Sequence, residues 1–261
     1  TEQAEFPDPC PRQRIRRRHV FVDLIEQVRD RLPKVKRWYM VADESGNATP
    51  AWAVEYESVV SKSAPDVTPV APYSGDDMLF LYTGGTTGMP KGVMWRQEDL
   101  LTVLGRGGNA VSQTPPGDSV EELIGRISPD LKGIVTLIAC PLMHGTGQFS
   151  AFITLAMGGC ILTMPNRNFD PAKLWETVEQ DSVNTIVIVG QAFAGPLLEV
   201  LDANPGKWNL TSVMQMGSSG VMWSQENKEG LLEHIQQMVI TDSFGSSEAV
   251  GMGASVSAKG A

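Results

Sequence analysis

From residue 134 onward the chain alternates short β-branched runs with amphipathic segments, and this rhythm constrains its fold more than any other feature. Apolar runs at 134–139, 160–164, 185–189, 213–216 and 238–241 read as buried strands. Between them lie helical patterns at 148–157, after 170, near 196–201 and after 224. Asp170-Pro171 supplies an N-cap and a first helical residue, Leu174 and Val178 continue one face, and Asp181 terminates it. Ser224 is placed to cap the last helix. Continuous β-branched runs without polar alternation indicate strands covered on both faces. The expected class is α/β, with largely parallel sheets flanked by helices.

The segment before this series is less regular. Phe21, Leu24, Ile25, Val28 and Leu32 share one helical face, residues 38–41 read as a strand, and residues 64–72 form a proline-rich connector. Residues 97–104 suggest a helix, and the polar, Gly- and Pro-containing stretch 114–132 reads as a loop.

A candidate ligand site lies between the connector and that helix. Residues 81–92 read Leu-Tyr-Thr-Gly-Gly-Thr-Thr-Gly-Met-Pro-Lys-Gly, directly after an apolar run at 77–82. Gly84, Gly85 and Gly88 allow close backbone approach to an oxyanion, Thr83, Thr86 and Thr87 add hydroxyl donors, and Lys91 adds a positive charge. Such a loop grips phosphate. The P-loop pattern does not fit, because Pro90 precedes Lys91 and Gly92 follows it, whereas that motif needs Gly-Lys-Ser/Thr opening a helix. Proline instead favours an extended exit through residues 92–95, which makes the loop a flap on a hairpin. The dinucleotide fingerprint fails on glycine spacing.

With 30 acidic and 21 basic residues, the net charge of −9 disfavours a nucleic-acid or anionic-membrane partner. An anionic ligand must therefore be held by local backbone amides, Lys91 and a divalent metal. Cys10, Cys140 and Cys160 are expected reduced, the last two buried in strands, consistent with a cytoplasmic protein. No apolar run reaches the length of a membrane span. The basic cluster Arg12, Arg14, Arg16, Arg17 and Arg18 reads as a solvated tail. His19 and His234 lack ligand-spaced partners for zinc, and no Gly-x-Ser-x-Gly elbow marks a serine hydrolase.

Residues 82–92 resemble the phosphate loop of the adenylate-forming enzymes, which include acyl-CoA synthetases, firefly luciferase and the adenylation domains of peptide synthetases. They match Tyr-Thr-Ser-Gly-Thr-Thr-Gly-x-Pro-Lys-Gly with one departure, Gly84 in place of serine. Residues 141–147, Pro-Leu-Met-His-Gly-Thr-Gly, resemble the family segment beside the acyl pocket. Residues 242–248, Asp-Ser-Phe-Gly-Ser-Ser-Glu, resemble its aromatic-Gly-x-Thr-Glu segment, and residues 218–226 are a divergent form of its adenine-site stretch. Several motifs in family order are far more specific than one alone. The resemblance covers about residues 20–253.

The resemblance implies a two-step ligase. A carboxylate attacks the α-phosphate of ATP to give acyl-AMP and pyrophosphate, and a thiol, usually of CoA, then displaces AMP. Its implied sites are Ser219, Gly220, Val221, Ser243, Phe244, Gly245 and Ser247 for nucleotide and Glu248 for Mg²⁺, with Lys91 neutralising phosphate and His144 gating or orienting the acid. Phe149, Phe152, Ala192, Phe193 and Gly217 offer apolar or small surface without a carboxylate to pair an ammonium group. The expected substrate is a fatty or other hydrophobic acid. Residues 1–18 do not match the family, 19–72 correspond to an N-terminal subdomain remnant and linker, and 73–261 to the AMP-binding core. The family's Thr-Gly-Asp and C-terminal adenylation lysine have no counterpart here, so a fragment is expected. A nucleotide-binding module and an acyl-AMP ligase serving a carrier protein remain alternatives.

Overall fold

A computed structural model describes residues 14–18, 21–42, 48–63, 72–84, 89–108, 114–127, 133–164, 166 and 168–260. The chain divides into two compact units, Thr1–Pro72 and Tyr73–Ala261.

In the first unit, β1 (Arg14–Arg18), β2 (Arg37–Val41) and β3 (Ala53–Glu55) form a parallel three-stranded sheet. Of the basic cluster, Arg14, Arg16, Arg17 and Arg18 lie in β1, paired residue for residue with β2, and Arg12 lies outside the described residues. The helical face expected from Phe21 to Leu32 is only partly used. α1 covers Val22–Val28, and Ile25 is buried while Phe21, Leu24 and Leu32 stay exposed. Trp52 ties α1 to the sheet: its indole N–H donates to Glu26 at 3.0 Å and its ring meets Trp38 edge-on at 5.8 Å. The short α2 (Tyr56–Val60) completes this unit.

In the second unit, β4 (Met78–Thr83) and β5 (Lys91–Arg96) form an antiparallel hairpin followed by α3 (Gln97–Val103). The stretch read as a loop contains α4 (Val120–Arg126). Its signal is local: Ser119 Oγ accepts from Glu122 N at 3.1 Å, while Glu122 accepts from Asp118 N at 2.8 Å, a reciprocal N-terminal cap.

The remaining strands build one six-stranded sheet in the order β11-β10-β9-β8-β6-β7. These are β6 (Val135–Ile138), β7 (Cys160–Thr163), β8 (Thr185–Ile188), β9 (Gln215–Ser219), β10 (Val239–Ser246) and β11 (Ala249–Ala258). Every neighbouring pair is parallel except β10 with β11. β11 is a strand where sequence periodicity assigned none, because its Gly-, Ala- and Ser-rich run has little apolar patterning.

Between the strands lie α5 (Gly145–Ala156), α6 (Pro171–Asp181), α7 (Gln191–Ala203) and α8 (Gln225–His234). Asp170 and Ser224 cap α6 and α8 as the sequence indicates, accepting from Lys173 N and Asn227 N. α7 begins earlier than expected and carries Pro196 inside it. One face of the sheet, with Leu137, Ile186, Met216 and Ile240, packs on Leu174, Trp175, Leu197 and Leu231 of α6, α7 and α8. Burying each such aliphatic side chain contributes about 1.5–3 kcal/mol, so this cluster is the main source of stability. The opposite face meets α5 through Ile138, Val187 and Ala151. A smaller cluster of Leu81, Val93, Leu100, Leu104 and Phe149 fastens the hairpin and α3 to α5.

Cys140 is buried, and desolvation pushes its thiol pKa up to about 11. Cys160, expected to be buried, is exposed at edge strand β7.

Candidate active site

Three chain segments meet at the carboxyl ends of the parallel strands. The first is the hairpin. Thr83 and Lys91 face each other in its last register pair, and Thr83 Oγ1 donates to the Lys91 carbonyl at 3.4 Å. Gly84 has open space where a side chain would stand. Gly85, Thr86, Thr87 and Gly88 lie outside the described residues.

The second segment is the end of β10 and its turn into β11. Ser243 and Phe244 lie within the strand rather than after it, and pairing shifts between Phe244 and Ser246. The irregularity needs a glycine, because a Cβ on Gly245 would stand 2.9 Å from the Ala249 carbonyl oxygen. Phe244 is 71% exposed, so it is not a core aromatic. An open aromatic face at a strand end suits stacking on a planar ring. Ser247 and Glu248 form the turn, and Glu248 is exposed.

The third segment is the start of α5. His144 is its N-cap, and Nδ1 accepts from Thr146 N at 3.2 Å. That bond orients the ring and leaves Nε2 as the protonated nitrogen of the neutral imidazole. Gly220, at φ +89°, is so near that a Cβ there would lie 3.4 Å from His144 Cε1. A Cβ on Gly145 would be 3.2 Å from Leu81 Cδ2 and 3.7 Å from Ser247 Oγ. Glycine at this helix start therefore lets hairpin, helix and turn approach one another.

These segments border a cavity of about 570 Å³ that extends from His144, Gly220 and Phe244 along the sheet to Ile134 and Thr185. Of the residues inferred from sequence, His144, Ser219, Gly220, Ser243, Phe244, Gly245 and Ser247 line it. Thr83, Gly84, Lys91, Val221 and Glu248 are not on its wall. Val221 is 55% exposed, with its carbonyl against Gly190.

The expected apolar surface is corrected in part. Phe149 and Gly217 line the cavity, but Phe152 and Ala192 are exposed away from it, and Phe193 packs on Phe169 at 4.8 Å. Helical phase explains the change: Phe149, Ser150, Ile153 and Thr154 line the cavity, whereas Phe152, one residue before Ile153, is turned to the outer side and is 38% exposed. No Asp, Glu, Lys or Arg lines the cavity among the described residues.

Several site features are not visible in the sequence reading. Trp95 Nε1 donates to the Ser247 carbonyl at 2.7 Å, joining hairpin and turn. Lys228 Nζ pairs with Asp242 at 3.0 Å, with side chains only 10% and 18% exposed, and lies 5.4 Å from the Trp223 ring centre. This pair locks α8 to β10 just before Ser243. Thr136, Thr185, Gln215 and Thr241 also line the cavity. Polar residues within apolar strand runs were the available signal for them.

A metal can be considered from the donor set. Among the described residues no three His, Cys, Asp or Glu side chains are grouped to hold one. Glu248 alone fits Mg²⁺ only if phosphate and water supply the other ligands, which is the usual manner of a nucleotide-bound Mg²⁺.

Comparison with known proteins bears on the family and the fold. The family described as AMP-binding enzyme matches residues 16–260. A medium/long-chain-fatty-acid–CoA/3-oxocholest-4-en-26-oate–CoA ligase of Mycolicibacterium smegmatis is 36% identical over 244 residues, which cover 92% of this chain and 43% of that protein. A 3-oxocholest-4-en-26-oate–CoA ligase of Rhodococcus rhodochrous is 34% identical over 247 residues, again 92% and 43%. The chain thus spans less than half the length of these relatives. Among solved structures, the anthranilate CoA ligase AuaEII in complex with anthranoyl-AMP aligns with TM-score 0.69 at 17% identity, over 92% of this chain and 42% of that one. The luciferase-like enzyme of the mealworm Zophobas morio aligns with TM-score 0.66 at 15% identity, over 92% and 50%. At such identities these two similarities concern the fold. Among the described residues no helix is long and apolar enough to cross a membrane.

Proposed function

We propose that this chain, which belongs to the AMP-binding enzyme family, carries the adenylate-forming core of an acid–thiol ligase that acts on a hydrophobic carboxylic acid. ATP and the acid react first. A carboxylate oxygen bonds to the α-phosphorus, the bond to the β-phosphate oxygen breaks, and acyl-AMP and pyrophosphate result. The sulfur of CoA then bonds to the acyl carbon and AMP leaves.

The observation that carries this reading is the uncharged cavity opening at His144, Gly220 and Phe244. Among the described residues it offers no carboxylate to an amino acid's ammonium group and no cation to a second acid group, so it suits one carboxylate on an apolar body. The M. smegmatis and R. rhodochrous relatives, named for fatty and steroid acids, support the same substrate class.

In this assignment residues 73–261 form the AMP-binding core. Phe244 stacks on adenine, with Ser219, Gly220, Val221, Ser243 and Gly245 around the nucleotide. Thr83 and Gly84 face the phosphates, Lys91 offsets their charge and Ser247 donates to the α-phosphate. His144 orients the acid through Nε2, since Nδ1 is already engaged. Bound Mg²⁺, held by Glu248, would supply charge neutralisation at the phosphates. The reaction is assigned to the cytoplasm, where ATP and CoA are at hand.

The test is ATP–pyrophosphate exchange across fatty, steroid and amino acids, with Mg·ATP titration by calorimetry alongside. Exchange that requires a hydrophobic acid is the expected result. Mg·ATP binding without any acid-dependent exchange would instead mark a nucleotide-binding module.

A further inference from the structure

The two faces of the six-stranded sheet differ in chemistry. One is the aliphatic core face of Leu137, Ile186, Met216 and Ile240. On the other, backbone register aligns Thr136 with Thr185 and Thr185 with Gln215. Aligned residues point to the same face, so a polar rung crosses β6, β8 and β9 in the middle of the sheet. Gln215 extends it to β10 by donating Nε2–H to Thr241 Oγ1 at 3.3 Å. All four residues line the cavity.

The rung is not saturated. Thr136 is engaged by Thr154, whose Oγ1 lies 2.9 Å from its own. Among the described residues the Thr185 hydroxyl and the Gln215 amide oxygen have no protein partner, and Gln215 retains a second N–H. Covering such groups with a saturated hydrocarbon would strip their water and return nothing. An oxygen placed on the rung would accept from them instead.

The strand sets the distance. Gln215 stands four residues before Ser219, about 13 Å at roughly 3.3 Å per residue. Gly217 lies between them, and no atom comes within 4 Å of where its Cβ would be, so a ligand can cross there. We propose that Thr185 and Gln215 form a specificity subsite for an acid whose otherwise apolar body carries a keto or hydroxyl oxygen roughly 13 Å from its carboxylate. The inference rests on the proposed function, which puts the carboxylate beside His144 and Gly220. A subsite that hydrogen-bonds a substrate oxygen discriminates strongly against the analogue lacking it.

The test uses a matched pair of rigid polycyclic acids, one with a remote ketone and one with methylene there, each as its unreactive acyl-sulfamoyl-adenosine. Affinities are measured by calorimetry on the wild-type chain, Gln215→Leu and Thr185→Val, with melting curves to establish that each variant folds. The expected result is an oxo preference of about tenfold or more that falls toward unity in at least one folded variant, with the methylene compound bound no more weakly. Equal wild-type affinity for the two compounds, or a preference unchanged in both variants, would overturn the subsite and leave the proposed function standing. Binding of neither compound would overturn both.

Discussion

The Trp95 indole N–H donates to the carbonyl of Ser247 at 2.7 Å across 152 residues of sequence. It joins the hairpin carrying Lys91 to the turn carrying Glu248. The Trp95 ring also meets Phe149 of α5 nearly perpendicularly, at 6.5 Å and 83°. One side chain therefore couples all three segments of the site, and its two contacts separate by mutation.

Trp95→Phe keeps an aromatic ring for Phe149 and removes the donor. The loss is expected to cost about 1 kcal/mol of stability and to weaken Mg·ATP binding by releasing the Ser247–Glu248 turn. Thermal melting and calorimetry on the same variant read the two effects. A stability loss with unchanged nucleotide affinity would mean that the hydrogen bond supports the fold alone.

Lys91→Ala and Glu248→Ala are each expected to weaken Mg·ATP binding by about tenfold, which corresponds to about 1.4 kcal/mol of binding free energy. The two should respond differently to EDTA. The Glu248→Ala penalty should disappear once Mg²⁺ is removed, because a carboxylate facing phosphate without a metal is repulsive, while the Lys91→Ala penalty should persist. Wild-type affinity in both variants would refute the placement of the phosphates.

Gly147→Ala and Gly125→Ala should act in opposite directions although both lie in helices. A Cβ at position 147 would stand 2.7 Å from the Pro141 carbonyl oxygen and 3.2 Å from Cys140 Sγ, in the tight connection from β6 into α5. Overpacking of this kind costs about 1–3 kcal/mol. Position 125 in α4 has nothing within 4 Å, so alanine there should stabilise by about 0.5–1 kcal/mol through helix propensity. Denaturant melts of the two variants provide the comparison.

Cys140 predicts an alkaline limit to stability. Burial raises its thiol pKa from 9.0 to about 11, so between those values the folded state holds a proton that the unfolded state releases. Stability from this group is intact below pH 9 and lost as pH rises toward 11. Cys140→Ala should flatten that decline in a series of melts. At pH 8 the exposed Cys160 should react with a thiol reagent in the native protein while Cys140 does not.

Local chemistry accounts for what the sequence disclosed. The β-branched runs, the Asp170 and Ser224 caps and the hairpin around residues 83–91 each depend on neighbours a few positions away, and each is present. The same local logic applies to α4, where Ser119 Oγ accepts from Glu122 N and the Glu122 carboxylate accepts from Asp118 N, a cap whose spacing is legible in the sequence. Cys160 was misjudged because an apolar run does not disclose whether its strand is central or at an edge. Phe152 differs from the expectation because one residue along α5 separates it from Ile153, which lines the cavity, and turns it to the exposed side.

By itself the sequence determined the α/β class, the strand-to-helix order and the motifs that mark a nucleotide site, since these arise from short-range periodicity, capping and turn geometry. Tertiary structure alone decided that Trp95 reaches Ser247, that Lys228 pairs with Asp242, and that Thr136, Thr185 and Gln215 align in one rung. Those relationships join residues far apart in the chain through strand order and register. They become determinate only when packing closes the intervening chain, because no local energy term along the sequence distinguishes one distant partner from another.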